Sequence, residues 1–151
     1  MVGLLGCHRG GAGSGSGAAP APEAVKQSLA ALKKDFGDLQ QRFADLGKDV
    51  EALPADLPGY PQLRATFYGS EEARGVADAR VTLLSDRLDA AVASGRGADL
   101  LQVSREIEQA EAQAREIDQL YLKLLHQVLA FQRAGAQRAA AQRAGRPLVA
   151  K

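Results

Sequence analysis

The side chains that most often carry out chemistry in proteins are few and widely separated in this chain. One cysteine, Cys7, and two histidines, His8 and His126, are present among 151 residues. Metal sites and nucleophilic active sites normally combine several such residues at short, recognisable spacings. The sequence contains no HExxH, CxxC or GxSxG motif, and the Gly47-Lys48 pair lacks the Ser or Thr that completes a phosphate-binding loop. We therefore expect a protein that is not an enzyme, with no catalytic residues, no metal site and no cofactor.

A short motif around Cys7 indicates a different kind of chemistry, the attachment of lipid. The residues Leu4-Leu5-Gly6-Cys7 resemble the lipobox of bacterial lipoproteins, in which Leu, a variable residue and Gly or Ala precede a cysteine. In that family the segment before the cysteine is removed and the cysteine is acylated. The resemblance implies that Cys7 becomes the N-terminal residue and the lipid attachment site. Two or more acyl chains are what stable membrane anchoring requires.

The residues that follow Cys7 are suited to a tether. The segment 10–22 consists only of Gly, Ser, Ala and Pro and carries no charge. Such a composition cannot build a core and favours a flexible chain. The sequence thus predicts that 1–22 comprises the remnant of a signal sequence, the lipobox and a disordered tether.

The alternative interpretation of Cys7 is an unmodified cysteine in a disordered N-terminal tail. A lipoprotein signal peptide has basic residues and an apolar stretch of at least about seven residues before the cysteine. Six residues precede Cys7 here, and none is Lys or Arg. The lipoprotein interpretation accordingly predicts that the true start lies upstream of Met1 or that the leader has been trimmed. We favour it because the motif, the sole cysteine and the tether agree with one another.

Charge is distributed unevenly along the chain, although the net formal charge is only +1. All 18 acidic residues lie between Glu23 and Asp118, and 13 of the 19 basic residues lie in 23–131, which gives that segment a charge of −5. The segment 132–151 has five basic residues and no acidic one. The central part is therefore mildly acidic and the C-terminal tail is basic.

The strongest structural signal is a heptad pattern between Leu100 and Phe131. Apolar or small residues recur there at alternating spacings of three and four, which keeps one side of a helix against its partners. The positions are Leu100, Val103, Ile107, Ala110, Ala114, Ile117, Tyr121, Leu124, Val128 and Phe131. We expect a helix over 99–131, opened by a capping box that Asp99 forms with Gln102.

The same alternation runs from Val25 to Leu53 and predicts a first helix over 23–53. Three prolines between residues 54 and 61 should end this helix, because the residue before a proline prefers an extended conformation. We therefore expect a rigid, non-helical connector at this point.

Between these two predicted helices the pattern is less regular. Ser70 and Arg74 fall at core positions of the register that is set by a clean stripe further on. That stripe consists of Ala77, Val81, Leu84, Leu88 and Ala91. We expect a helix over 62–94, either continuous or interrupted near 69–70 with Ser70 as the N-cap of its main part. Gly95 is suited to the left-handed conformation that often ends a helix.

The three predicted helices define the fold class. Aromatic residues make up only 5% of the chain and Trp is absent, which argues against a β-sandwich or barrel. Amphipathic helices with short connectors predict an all-α, antiparallel up-down-up three-helix bundle over 23–131. Helices of about thirty residues would make a rod on the order of 45 Å long. In helix length and heptad packing this bundle looks like a spectrin-type repeat, although the chain has no sequence motif of that family.

A second apolar stripe lies beside the heptad positions of the third predicted helix. It consists of Leu122, Leu125 and Leu129. A helix that packs against two neighbours needs a wide apolar face, so burial within the chain is the first expectation. The alternative is a surface for a protein partner or for a second copy of the chain.

The tail, 132–151, repeats a Gln-Arg-Ala unit every five residues. Five residues turn a helix through about 500°, so the arginines spiral around it. We expect a solvated helical extension to about residue 144, whose cations suit the C-terminal end of a helix. The alternative is anion binding, to lipid headgroups or nucleic acid, through Arg133, Arg138, Arg143 and Arg146. Nucleic acid is not favoured, because no aromatic residue is interleaved for base stacking.

The sequence thus predicts a membrane-anchored, exported lipoprotein at the cell envelope, facing the periplasm or the exterior. Its coiled-coil bundle would have a structural or adaptor role through contacts with an unidentified protein. One alternative is a cytosolic coiled-coil protein that self-associates through its third helix. The other is a nucleic-acid-associated protein that uses the arginine tail.

Overall fold

The computed structural model describes residues 19–145, which form three α-helices. Helix α1 spans Pro22–Ala52, α2 spans Tyr60–Ser94 and α3 spans Gly97–Ala144. The described residues include no β-strand. The prediction of an all-α three-helix bundle is confirmed.

Helices α1 and α3 run in the same direction. Arg42 of α1 pairs with Asp118 of α3 at 2.7 Å, and further along the chain Asp56 pairs with Arg138 at 2.9 Å. Asp56 lies in the connector just after α1, so the chain advances in the same direction along α1 and α3, as an up-down-up bundle requires of its first and third helices.

Helix α2 runs antiparallel to both. Its Arg80 donates a hydrogen bond of 2.6 Å to Gln109, whereas Arg87, further along α2, pairs with Glu106, which comes earlier on α3. Each helix contacts both others.

The core forms where the heptad stripes of the three helices meet. A fully buried side chain of this kind contributes roughly 1.5–3 kcal/mol relative to an exposed one. The least exposed large side chains are Phe43, Leu46, Val50, Leu84, Ile107, Leu124 and Val128.

Proline and glycine define the helix ends. Prolines lie in the first turn of α1 and of α2, where a missing backbone N–H costs little. Gly95 ends α2 in the left-handed conformation with φ of 65°, as predicted. Gly59 also has a positive φ, of 86°, just before α2 begins. A Cβ placed on Gly59 would lie 3.3 Å from the Phe131 ring, so this turn closes tightly over the end of the core.

A polar layer interrupts the core stripe of α2 at Ser70 and Arg74. The Ser70 hydroxyl donates a hydrogen bond of 2.6 Å to the Phe67 carbonyl, which satisfies a buried side chain within its own helix. The Arg74 guanidinium lies 4.3 Å from the centre of the Phe43 ring and donates to Gln40 Oε1 at 3.3 Å. Burial lowers the pKa of Arg74. The buried Nε of Arg74 has no hydrogen-bond partner among the described residues. Helix α2 is nevertheless continuous here, and the alternative of a break with Ser70 as N-cap is wrong.

The start of α3 also differs from the prediction. Its N-cap residue is Arg96, which makes no side-chain capping hydrogen bond, so the capping box of Asp99 and Gln102 is wrong. The Asp99 carboxylate instead accepts hydrogen bonds from Ser94 Oγ at 2.7 Å and from Arg96 Nε at 3.0 Å. The carboxylate therefore stabilises the turn between α2 and α3 and does not cap the first backbone N–H groups of α3.

Replacement of Gly59 by alanine should destabilise the bundle. The positive φ disfavours any side chain, and the added Cβ would press on Phe131, so we expect a loss of about 1 kcal/mol or more in the free energy of unfolding. Gly69→Ala is the matched control. It lies within α2 with open space around the added methyl group, and it should gain about 0.5–1 kcal/mol through higher helix propensity. Urea unfolding of both variants measures the difference, and equal effects would contradict this account of the turn.

Candidate partner-binding surface

The predicted second stripe of α3, which we call the leucine stripe, consists of Leu122, Leu125 and Leu129. Leu125 is half-buried and packs against the core. Leu122 and Leu129 are 44% and 38% exposed. Burial within the chain therefore accounts for the middle residue of the stripe, and the two outer residues face solvent.

The leucine stripe lies on the side of α3 that borders α1. Asp118 comes four residues before Leu122 and seven before Leu125, and Asp118 pairs with Arg42 of α1. The Arg42 guanidinium also lies 4.9 Å from the centre of the Tyr121 ring. Because a helix turns 100° per residue, Leu125 repeats the position of Asp118 next to α1, and Leu122 and Leu129 lie slightly further out.

A groove between α1 and α3 leads up to this stripe. It has a volume of about 900 Å³ and is broad and open to solvent. Its lining combines small residues, two leucines and charged side chains of both signs. The small residues are Ala24, Ser28, Ala31 and Ala114, and the charged ones are Asp35, Asp38, Glu111, Asp118, Arg42 and Arg115. An open groove lined by small side chains suits contact with a helix, whereas small-molecule sites bury most of their ligand.

The α1 side of the groove is acidic. Asp35, Asp38 and Asp49 make no ion pair within residues 19–145. Asp45 differs from them, because it pairs with Lys48 at 2.7 Å, and the hydrogen bonds from Lys48 and then Gln41 lower its pKa. Among the described residues, Asp49 therefore presents an unpaired carboxylate next to the leucine stripe, whereas the charge of Asp45 is balanced by Lys48.

The opposite flank of the leucine stripe is basic. His126 and Arg133 come four residues after Leu122 and Leu129 respectively, which places them on the side of α3 that points away from α1. Both are exposed, as is Lys123. The exposed leucines thus lie between an acidic flank on α1 and a basic flank on α3.

The first part of the basic tail packs against the connector between α1 and α2. Arg138 pairs with the Asp56 carboxylate at 2.9 Å, and the Cα region of Gly135 lies next to Pro54 and Leu57. Helix α3 then continues, fully exposed, to Ala144. The tail is therefore held at one end of the bundle, where Arg133 and Arg143 remain exposed and make no ion pair among the described residues.

The other end of the bundle receives the N-terminal segment. Ala19, the first described residue, has its Cβ 2.7 Å from the point that a Cβ on Gly97 would occupy. The predicted lipid attachment site, Cys7, and one of the four tail arginines, Arg146, lie outside the described residues. Because α1 has 31 residues, the two ends are about 46 Å apart.

The sequence did not lead us to a further pair of exposed apolar side chains on α2. Val76 and Leu83 are 58% and 55% exposed and lie seven residues apart, on the same side of the helix. Glu72 lies four residues before Val76 and Arg87 four residues after Leu83, so charged side chains flank this apolar pair. Their seven-residue spacing is the sequence signal that could have identified them.

Neither a metal site nor a membrane-spanning helix is found in the described part of the chain. No group of three or more metal-ligating side chains comes together there. Among residues 19–145, no helix has the apolar stretch that crossing a bilayer would need.

Comparison with known proteins gives no family for this chain. No family model, no curated protein and no solved structure matches it. Its function is therefore inferred from its own residues and geometry.

Replacement of the two exposed leucines by glutamine should change the stability of the bundle only slightly. For Leu122→Gln with Leu129→Gln, measured at low protein concentration, we expect a change below about 1 kcal/mol in the free energy of unfolding, as is usual for surface positions. Leu124→Ala, in the fully buried position next to the stripe, should cost about 2–5 kcal/mol because it leaves a cavity. Urea unfolding compares the two. A double exchange as costly as Leu124→Ala would show that the stripe belongs to the core.

Proposed function

We propose that this protein is a membrane-anchored, exported lipoprotein whose helical bundle has a structural or adaptor role at the cell envelope, through contacts with protein. The observation that carries the proposal is the separation of the two ends of the rod. The N-terminal segment enters the bundle beside Gly97, whereas the leucine stripe and the basic tail lie towards the opposite end. An anchor at one end would leave the contact surface free at the other.

The anchor itself is proposed from the sequence around Cys7. The lipobox-like Leu4-Leu5-Gly6 and the uncharged segment 10–22 provide an attachment site and a tether. Ala19 and Pro20, at the end of that segment, lie outside the core next to the first turn of α1. A tether that enters there would hold the bundle with its long axis free to extend from the membrane.

The adaptor role is proposed from the surface of the bundle. The exposed leucines beside an open groove offer an apolar contact to another protein helix. The groove is lined by side chains of α1 and α3 over several helical turns, which suits a partner helix lying along it. Exposed apolar residues that lie together are typical of protein–protein contacts.

A cytosolic protein that self-associates through its third helix would use the same leucine stripe. The two functions therefore differ in whether Cys7 is acylated. The third possibility, nucleic-acid binding, is weakened because Arg138 is engaged by Asp56, which reduces the charge that the tail can offer to phosphate.

The test of the anchor is acylation of Cys7 in a bacterial host, expressed from the native upstream sequence. We expect the wild-type chain to incorporate labelled palmitate and to partition into the detergent phase. Cys7→Ser should abolish both. The matched control is Cys7→Ser combined with Ser14→Cys, which retains one cysteine in the tether but removes it from the lipobox and should stay unlabelled. A wild-type protein that is unlabelled and remains in the aqueous phase would contradict the proposal.

A further inference from the structure

We propose that the leucine stripe is covered by the leucine stripe of a second copy of this chain, in a parallel two-fold dimer with α3 packed against α3. The inference rests on the proposed role of this stripe as a protein-contact surface, and it identifies the partner. Three properties of the surface carry it: the apolar row, the charges that flank it and the position of those charges along the helices.

The apolar row is longer than the three leucines. From Leu129 the same alternation of three and four passes through one polar residue, Gln132, and then reaches Ala136 and Ala139, on the part of α3 that extends beyond α1. Small side chains at these positions allow two helices to approach closely. In the other direction the row reaches Arg115, seven residues before Leu122, so the contact is confined to about three heptads.

The charges on the two flanks are of opposite sign. Arg42 lines the groove, and Asp49 comes seven residues later, on the same row of α1. The far side of the stripe carries the positive charges of Arg133 and Lys123, together with His126, which is formally neutral at pH 7. The stripe therefore has an acidic edge on the α1 side and a basic edge on the opposite side.

This arrangement distinguishes the two possible orientations. A two-fold axis parallel to the helices places the acidic α1 edge of each copy beside the basic α3 edge of the other, so the attraction occurs twice. A two-fold axis perpendicular to the helices places the two α1 edges side by side, with Asp49 opposite its own equivalent. Like charges in such positions are destabilising. The charges therefore favour the parallel dimer.

The levels of these residues along the rod agree with the parallel orientation. Arg42 is level with Asp118, to which it is bonded. One heptad further, Asp49 is level with Leu125, immediately before His126. In a parallel dimer the partner has the same levels, so Asp49 of one copy lies opposite His126 of the other. Both N-terminal segments then leave the dimer at the same end, as two anchors in one membrane require.

The first experiment measures the association itself. Full-length Cys7→Ser protein, which cannot be acylated, is analysed by sedimentation equilibrium up to about 100 µM, a range that covers weak helix-mediated dimers. We expect a reversible dimer. Leu122→Gln with Leu129→Gln should weaken it at least tenfold. The control Val76→Gln with Leu83→Gln removes the more exposed apolar pair on α2 and should leave it unchanged. A monomer at all concentrations, or equal loss in both variants, would overturn the proposal.

The second experiment tests the orientation by cross-linking in the Cys7→Ser background. Leu122→Cys and Leu129→Cys are each oxidised alone and as a mixture. A parallel dimer brings each new cysteine opposite its own equivalent, so each variant should form a disulfide-linked dimer alone. An antiparallel dimer centred on the stripe would pair position 122 with position 129. Linked dimers that form only in the mixture would therefore overturn the parallel arrangement.

The third experiment tests the charged flanks. His126→Glu places an acid opposite Asp49 of the other copy at two symmetric sites. We expect the dissociation constant of the dimer to rise roughly fivefold or more. Adding Asp49→Lys should restore the dimer, because the two edges again have opposite charge. Circular dichroism of each variant verifies that the bundle remains folded. If Asp49→Lys does not restore association in the His126→Glu variant, these two residues do not face each other in the dimer.

The outcomes separate this inference from the proposed function. A Cys7→Ser protein that is monomeric, together with a wild-type protein that incorporates palmitate, would reject the dimer and leave the anchored adaptor with a different partner. A dimer formed by a chain that is never acylated would retain the dimer and reject the anchor.

Discussion

The packing of Phe43 against both neighbouring helices sets the register on which the rest of the structure depends. Its side chain is fully buried. Its ring centre lies 6.4 Å from that of Phe67 on α2 and 5.4 Å from that of Tyr121 on α3, and Arg74 covers it at 4.3 Å. Because all three helices contribute to this one layer, none can slide along its axis without opening a cavity. Loss of a large buried aromatic side chain typically costs about 3–5 kcal/mol.

The same register determines the position of the candidate surface. With Phe43 against Tyr121, the preceding residue Arg42 lies over the Tyr121 ring and reaches Asp118. A half-exposed ion pair of this kind contributes little to stability, but it fixes which side of α3 borders α1. Leu122 and Leu129 then face solvent because the turn of the helix carries them past that border. The surface is thus a geometric consequence of the core.

The sequence predicted the core stripes well and the polar exceptions poorly. An unbroken alternation of three and four identified Leu124 and Val128, which are fully buried. Ser70 and Arg74 looked unfavourable at core positions, because a pattern of residue types does not reveal that a hydroxyl can bond to its own helix or that a long side chain can reach the surface. The sequence predicted the extension of α3 to about residue 144. It could not show that Arg138 of this extension contacts Asp56, 82 residues away, because no local pattern reports such a contact. On the surface, periodicity placed three leucines in one stripe but could not separate the buried one from the exposed ones, since they differ by less than a quarter turn.

The basic tail limits how far the proposed parallel dimer extends. Arg143 lies fourteen residues after Leu129 on the same row of α3, so parallel packing brings the two copies of this side chain towards each other. Arg138 does not face its equivalent, because it lies about 200° around α3 from Ala136 and pairs with Asp56 of its own chain. Salt at physiological concentration screens exposed charges over about 8 Å, so the repulsion acts only where the helices are in contact. The two α3 ends therefore separate before Arg143, and the affinity depends on the leucine stripe and Ala136. A contact of this size is typical of weak, reversible association.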